Sequence, residues 1–298
     1  MIDFKQLIDV GLHFGHQKSR WCPKMESYIW GHRGGVHLID ISKTAYALQK
    51  TATFLEAVVA RGETVLWVGT KKPAKEMIAT VGQATKMPYV DYRWVGGTIT
   101  NYHQVKKAVT KLLHFEDVIA KSSKENSPYT KKEVVRFQKL AERLARSVGG
   151  LKALTQNIGA IVLIDVRKEQ TALLESVASG VPVVALVDTN SDPSGVQFVI
   201  PGNDDSAKGI AFVLNYLQDA VLKGIAKKAE VSKNAKDAVE AQRAAAKDAA
   251  DSAKSFEAKR AELRDIVIDT SDESDEENSD KKRVAKVAFK RPVAKKSA

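Results

Sequence analysis

From Gly62 onward, short unbroken apolar runs alternate with longer stretches whose apolar residues recur at helical spacing. Thr64 to Gly69 (TVLWVG) is the first run, and a helical pattern over Pro73 to Thr85 follows it after a turn. Tyr89 to Tyr92 predicts a short strand. Ile158 to Ile164 (IGAIVLI) is a second buried run, trailed by a helix over Gln170 to Ser179. Pro182 to Val187 (PVVALV) and Gln197 to Ile200 (QFVI) are the third and fourth, with a last helix from near Asp204. Val/Ile/Leu runs without polar alternation mark strands covered on both faces. Their alternation with helices predicts an α/β fold with a parallel, doubly wound sheet.

The stretch from Gln104 to Val148 breaks this rhythm. Val134, Phe137, Ala141, Leu144 and Val148 follow the seam spacing of a coiled coil, and Val105, Val109, Leu112 and Ile119 give a similar seam upstream. A polar, proline-containing turn at 123–129 separates them, and Thr130 with Glu133 forms a capping-box pattern that restarts the helix. The spacing predicts an antiparallel coiled-coil hairpin inserted into the sheet domain, each helix with one apolar seam and three Lys-rich sides. The expected domains are therefore a platform of residues 1–103 with 151–226, and a hairpin insertion at 104–150. An Ala/Lys-rich helical extension follows over 227–264. A disordered tail at 265–298 completes the chain, because charge-segregated sequence poor in aromatics cannot build a core.

Charge locates a partner. The chain carries 47 Lys+Arg against 36 Asp+Glu, a net charge of +11. Residues 265–280 hold eight acids and 281–298 hold eight bases, so the tail cancels and the excess belongs to residues 1–264. Between Gln104 and Gly150 there are eleven bases and five acids, so more than half of the excess lies in the hairpin. A concentrated excess of this kind suits a polyphosphate, whose condensed counterions are released by each bound Lys or Arg. No apolar run approaches the ~20 residues needed to span a bilayer. The N-terminus has no signal core, and the single cysteine, Cys22, fits a reducing compartment, so the expected location is the cytoplasm.

Candidate catalytic chemistry is thin. Gly69 to Lys72 (GTKK) sits between strand and helix, where a helix N-terminus can meet phosphate, but it lacks the spacing of a nucleotide-binding loop. Asp165 and Asp188 end apolar strands, where α/β enzymes place carboxylates, so a phosphoryl-transfer enzyme is the second reading. No positioned nucleophile accompanies them, and the DTNSDP sequence from Asp188 favours turn capping. His13, His16 and Cys22 match no four-ligand zinc pattern. No catalytic residue, metal or cofactor is expected. A third reading is an interaction scaffold that grips a partner helix through the hairpin.

His13 to Arg33 (HFGHQKSRWCPKMESYIWGHR) interleaves bases with Phe14, Trp21, Tyr28 and Trp30, a mixture suited to phosphate contacts beside base stacking. Together with GVHLIDISK (35–43), RWVGGTITN (93–101), IDVRKE (164–169) and VDTNSDPSGVQFVIPGNDD (187–205), this segment closely resembles the family of the second protein of the small ribosomal subunit, in its bacterial form. The likeness runs in order over roughly residues 1–225. It implies a flavodoxin-like α/β domain with a protruding coiled-coil hairpin, and a structural role without catalysis. It also implies binding to small-subunit rRNA and neighbouring ribosomal proteins, the large mRNA-binding first protein of the subunit among them. Ser19 and Cys22 depart from the family pattern of a longer polar or basic residue and an Asn, and the chain beyond about Lys227 resembles nothing specific in it.

On this reading the rRNA-binding candidates of the platform are Lys18, Arg20, Trp21, Lys24, Arg33, Lys43, Lys71, Lys72, Arg93 and Arg167. Gly96 and Gly97 permit a close turn. The hairpin offers Lys106, Lys107, Lys111, Lys131, Lys132, Arg136, Lys139, Arg143 and Arg146.

Overall fold

The computed structural model describes residues 3–122, 129–230 and 233. Two sheets organise them. The first is antiparallel, in the order β1–β3–β2, from β1 (Phe14–Gln17), β2 (Ile29–Arg33) and β3 (Val36–Ile39). The second is parallel throughout and five-stranded, built from β4 (Thr64–Val68), β5 (Tyr89–Val90), β6 (Ile158–Ile164), β7 (Val183–Val187) and β8 (Phe198–Pro201). Its order, β5–β4–β6–β7–β8, reverses direction between β4 and β6, as in flavodoxin-like folds.

Helices cover both faces of the parallel sheet because every strand is apolar on both. Val65, Trp67, Val162, Ile164, Val184 and Leu186 point to one face. There they meet α2 (Ile41–Ala60), α3 (Lys72–Thr85) and a last helix, α7 (207–230), through Leu48, Leu55, Ile78, Val81, Val213 and Leu217. Leu66, Val68, Ile161, Leu163, Ala185 and Val187 point to the other face. That side is covered by α6 (Gln170–Ala178) and by the roots of α4 (Tyr102–Ser122) and α5 (Lys131–Val148). Each fully buried Leu, Ile or Val contributes about 1.5–3 kcal/mol relative to an exposed position.

Helix starts follow side-chain chemistry. Asp3 accepts from Lys5 N ahead of α1 (Phe4–Asp9), and Asp40 accepts from Ser42 N ahead of α2. Thr130 and Glu133 form the full reciprocal capping box at α5. The four apolar runs are strands as expected, with small shifts. The strand expected over Tyr89 to Tyr92 is only Tyr89–Val90, and the last one moves a residue later to Phe198–Pro201. The antiparallel sheet and α2 were not anticipated.

Helices α4 and α5 lie against each other, with Phe115 and Phe137 stacked at 5.6 Å between ring centroids. Their seam does not stop at the sheet: Val105, Leu112, Ala141 and Val148 belong to the same apolar cluster as Leu66 and Ile161. Phe115 and Val118 add to the upstream seam read from the sequence. All but Tyr129 of the turn expected at 123–129, the tail at 265–298 and nearly all of the 227–264 extension lie outside the described residues. No helix among the described residues is long and apolar enough to cross a membrane.

Leu112 is fully buried where hairpin meets sheet, whereas its neighbour Leu113 is 46% exposed. Leu112→Ala is expected to lower the unfolding free energy by about 2–5 kcal/mol. Leu113→Ala should change it by less than about 0.5 kcal/mol. Denaturant titration of both variants checks the contrast.

Candidate functional site

The strands of the parallel sheet all end at one edge, and the reversal of strand order between β4 and β6 opens a crevice there. Lys71, which caps α3, reaches into it from the end of β4. Its Nζ lies 2.7 Å from Asp204 Oδ1, 2.7 Å from Asp205 Oδ1 and 3.7 Å from Asp165 Oδ2. Asp165 ends β6 in the left-handed region at φ +67°, which turns its carboxylate toward the crevice while its Oδ1 accepts from Lys168 N. Asp188 ends β7 and is buried; its Oδ1 accepts from Thr189 N and Thr189 Oγ1. Turn capping and crevice lining thus coexist at both aspartates.

The antiparallel sheet closes the crevice from above. His16 N donates to Thr189 Oγ1 at 2.8 Å, and Cys22 N donates to Thr189 O at 2.7 Å. A Cβ on Gly15 would fall 2.6 Å from Thr189 Cγ2, so only glycine lets β1 approach this closely. The approach sets His16 Nδ1 2.9 Å from Asp188 Oδ2, though without hydrogen-bond alignment.

Charge is unevenly matched in this space. Burial alone would depress the Lys71 ammonium, but Asp204 and Asp205 more than reverse this and hold it above the ordinary lysine range. Burial, reinforced by the charges of Asp188 and Asp165, pushes Asp204 up to about 7 against the pull of Lys71. Asp205, which is more exposed, is lowered by Lys71. Contact with Asp188 raises His16, against its partial burial. Glu169, at the start of α6, is raised by burial although Thr70 donates to it from N and Oγ1.

Three ligand atoms in the crevice lack an aligned hydrogen-bond partner: His16 Nδ1, Asp188 Oδ2 and Asp204 Oδ2. The three side chains offer ligand atoms within 4.8 Å of one another, a set of one imidazole and two buried carboxylates able to hold a divalent cation. The trio considered from sequence was His13, His16 and Cys22, and only His16 belongs to the group. Its companions come from positions 188 and 204, so no local spacing could reveal them.

The basic candidates divide by what meets them. Lys71 is committed to the crevice. Lys24 is exposed but paired with Asp192 Oδ2 at 2.7 Å and Ser194 Oγ at 2.8 Å, and the pairing lowers Asp192 to about 2. Lys43 bonds Ser27 O and approaches Asp40. Trp21 is half-buried, with its ring centroid 5.4 Å from that of His37. Lys18, Arg20, Arg33, Lys72, Arg93 and Arg167 are exposed and meet no acid among the described residues. Of these, Lys72, Arg93 and Arg167 follow the ends of β4, β5 and β6, and Lys18 and Arg20 follow β1 beside Thr189. The first three therefore lie at the sheet edge that holds the crevice. On α4 and α5, Lys106, Lys107, Lys111, Lys131, Lys132, Arg136, Lys139, Arg143 and Arg146 are all exposed, again with no acid partner among the described residues. Gly97 takes φ +86° in the turn after β5, and Gly96 beside it is exposed.

A family model described as Ribosomal protein S2 matches residues 7–224, most of the chain and all of the parallel sheet. The chain belongs to the ribosomal protein S2 family. It is 40% identical over 235 residues to the small ribosomal subunit protein uS2 of Kocuria rhizophila, a match covering 79% of this chain and 82% of that protein. The S2 family comprises structural ribosomal proteins, which sets aside the phosphoryl-transfer reading of Asp165 and Asp188.

The raised Asp204 makes a pH prediction for this S2-family chain in chelator. Between its unfolded value of 3.8 and its folded value of about 7, the native state holds a proton that the unfolded chain has released. Stability attributable to Asp204 therefore falls as pH rises through that window. Asp204→Asn removes the linkage, so the variant should gain stability relative to wild type between pH 5 and pH 8. Melting curves in chelator at the two pH values read this directly. A difference that does not change with pH would contradict the assignment.

Proposed function

We propose that this member of the S2 family is a structural constituent of the small ribosomal subunit in the cytoplasm. In this reading it binds small-subunit rRNA through phosphates and also contacts neighbouring ribosomal proteins. The observation that carries the reading is the hairpin: nine exposed bases on α4 and α5 have no acid partner among the described residues. Cations left unmatched within a fold are costly to crowd together unless an external polyanion meets them. The bases at the crevice edge extend the same surface onto the platform. Phosphate contacts of this kind position a protein on folded RNA by shape and carry little sequence information.

Protein neighbours are supported by a different feature. Phe4, Ile8, Phe14 and Trp30 are 52%, 47%, 49% and 76% exposed on the N-terminal elements. Apolar exposure of this extent suits a protein contact better than an RNA one. The large mRNA-binding first protein of the subunit is a candidate for that surface.

The test is rebinding of the purified chain to small subunits depleted of their S2 protein, over a range of salt. Affinity should fall steeply with ionic strength. Reversal of Lys139, Arg143 and Arg146 to Glu should weaken binding at least tenfold near 0.1 M salt. It should also flatten the log–log salt slope by roughly 0.9 per lost phosphate contact, using the duplex value. Binding that ignores salt would favour the helix-gripping scaffold instead.

A further inference from the structure

The turn between β5 and α4 is built around a carboxylate from another element. Glu175, on α6, accepts from Trp94 Nε1 at 2.9 Å and Gly97 N at 2.8 Å through Oε1. Its Oε2 accepts from Ile99 N at 3.3 Å and Thr100 Oγ1 at 3.4 Å. Thr98, wholly buried, donates from Oγ1 to Val95 O at 2.6 Å, and Asn101 N donates to Gly97 O at 2.8 Å as α4 begins. Trp94 is buried in the cluster beneath the turn. Every one of these bonds is internal, so the turn keeps its shape without a partner.

What it presents outward is quite different. Arg93 is exposed with no acid partner among the described residues, and Tyr92 is 52% exposed with Lys75 Nζ 5.1 Å from its ring centroid. Lys72 is exposed one helical turn before Lys75 on α3. Gly96 offers bare backbone, and a Cβ there would meet nothing within 4 Å.

We infer that residues 92–97 form a preformed seat for a sugar–phosphate segment of RNA, with Glu175 as the positioning residue that holds the seat open. The inference rests on the rRNA-binding reading above and adds to it a particular surface and the group that shapes it. Charge complementarity selects the occupant: exposed Lys72 and Arg93 accompany an exposed Tyr92 ring that carries Lys75 over its face, a combination that meets phosphates and stacks on a base or sugar. Gly96 lets a backbone approach where any side chain would intervene. Ordering the turn beforehand removes part of the entropy that binding would otherwise cost.

Gly96→Leu provides the sharpest test, because the added side chain has open space in the free protein. Its melting temperature should match wild type while its rebinding to S2-depleted small subunits weakens at least tenfold. Glu175→Ala should speed amide exchange at Gly97 and Ile99, and weaken rebinding, while exchange in β6 and β7 stays protected. Gly96→Cys in a Cys22→Ser background, carrying a tethered iron chelate, should cut rRNA strands near the seat. Full-strength rebinding by Gly96→Leu overturns the inference. So does a tether that cuts only a neighbouring protein, which would assign the turn to a protein contact. If wild type itself fails to rebind, the rRNA-binding reading falls first. If wild type binds and only the hairpin reversals weaken it, the seat alone is refuted.

Discussion

A parallel sheet exposes no face that water can cover cheaply, so both of its apolar surfaces must be roofed by helices. On one face α2, α3 and α7 do this with long apolar stripes. On the other, α6 is a single nine-residue helix, where the opposite face takes three longer ones. The deficit is met by the roots of α4 and α5, whose seam residues Val105, Leu112 and Val148 join the sheet cluster. The roots of α4 and α5 are therefore part of the core, in the same apolar cluster as Leu66 and Ile161.

Charges follow the same logic of enclosure. Around the crevice, Asp165 after β6 and Asp204 and Asp205 before α7 converge on the Lys71 ammonium, while Asp188 after β7 faces His16. Burial and the neighbouring Asp188 and Asp165 raise Asp204, and three ligand atoms of the crevice are left without aligned partners. The outer rim carries the opposite sign, in Lys72, Arg93 and Arg167. A carboxylate-rich interior and a basic rim thus meet at one sheet edge.

Some of this was legible from the chain and some was not. The strands from Thr64 to Pro201 announce themselves because burial on both faces demands unbroken Val, Ile and Leu. Helices α4 and α5 announce themselves through their apolar seams, and the 130–133 capping box marks where α5 begins. By contrast, β1 to β3 are four or five residues long and only partly covered, so no alternation marks them. Helix α2 hid because its inner face mixes Thr44, Ala45 and Thr51 with its leucines, a stripe too polar to read as apolar. Exposed bases could be nominated individually, but which were already paired, as with Lys24 and Lys71, depends on acids far away in sequence. Glu175 and Asp204 carry no local signature at all; their importance comes from what the fold brings to them.

The bond from His16 N to Thr189 Oγ1 links positions 173 residues apart. During synthesis the small antiparallel sheet leaves the ribosome first, yet the surface it docks on does not exist until β7 and the turn after it have been made. Its short strands cannot make this contact until most of the domain has been translated. Closure over the crevice is consequently a late event, and any nascent chain arrested before residue 189 lacks both bonds to Thr189, whatever the state of the helices already formed.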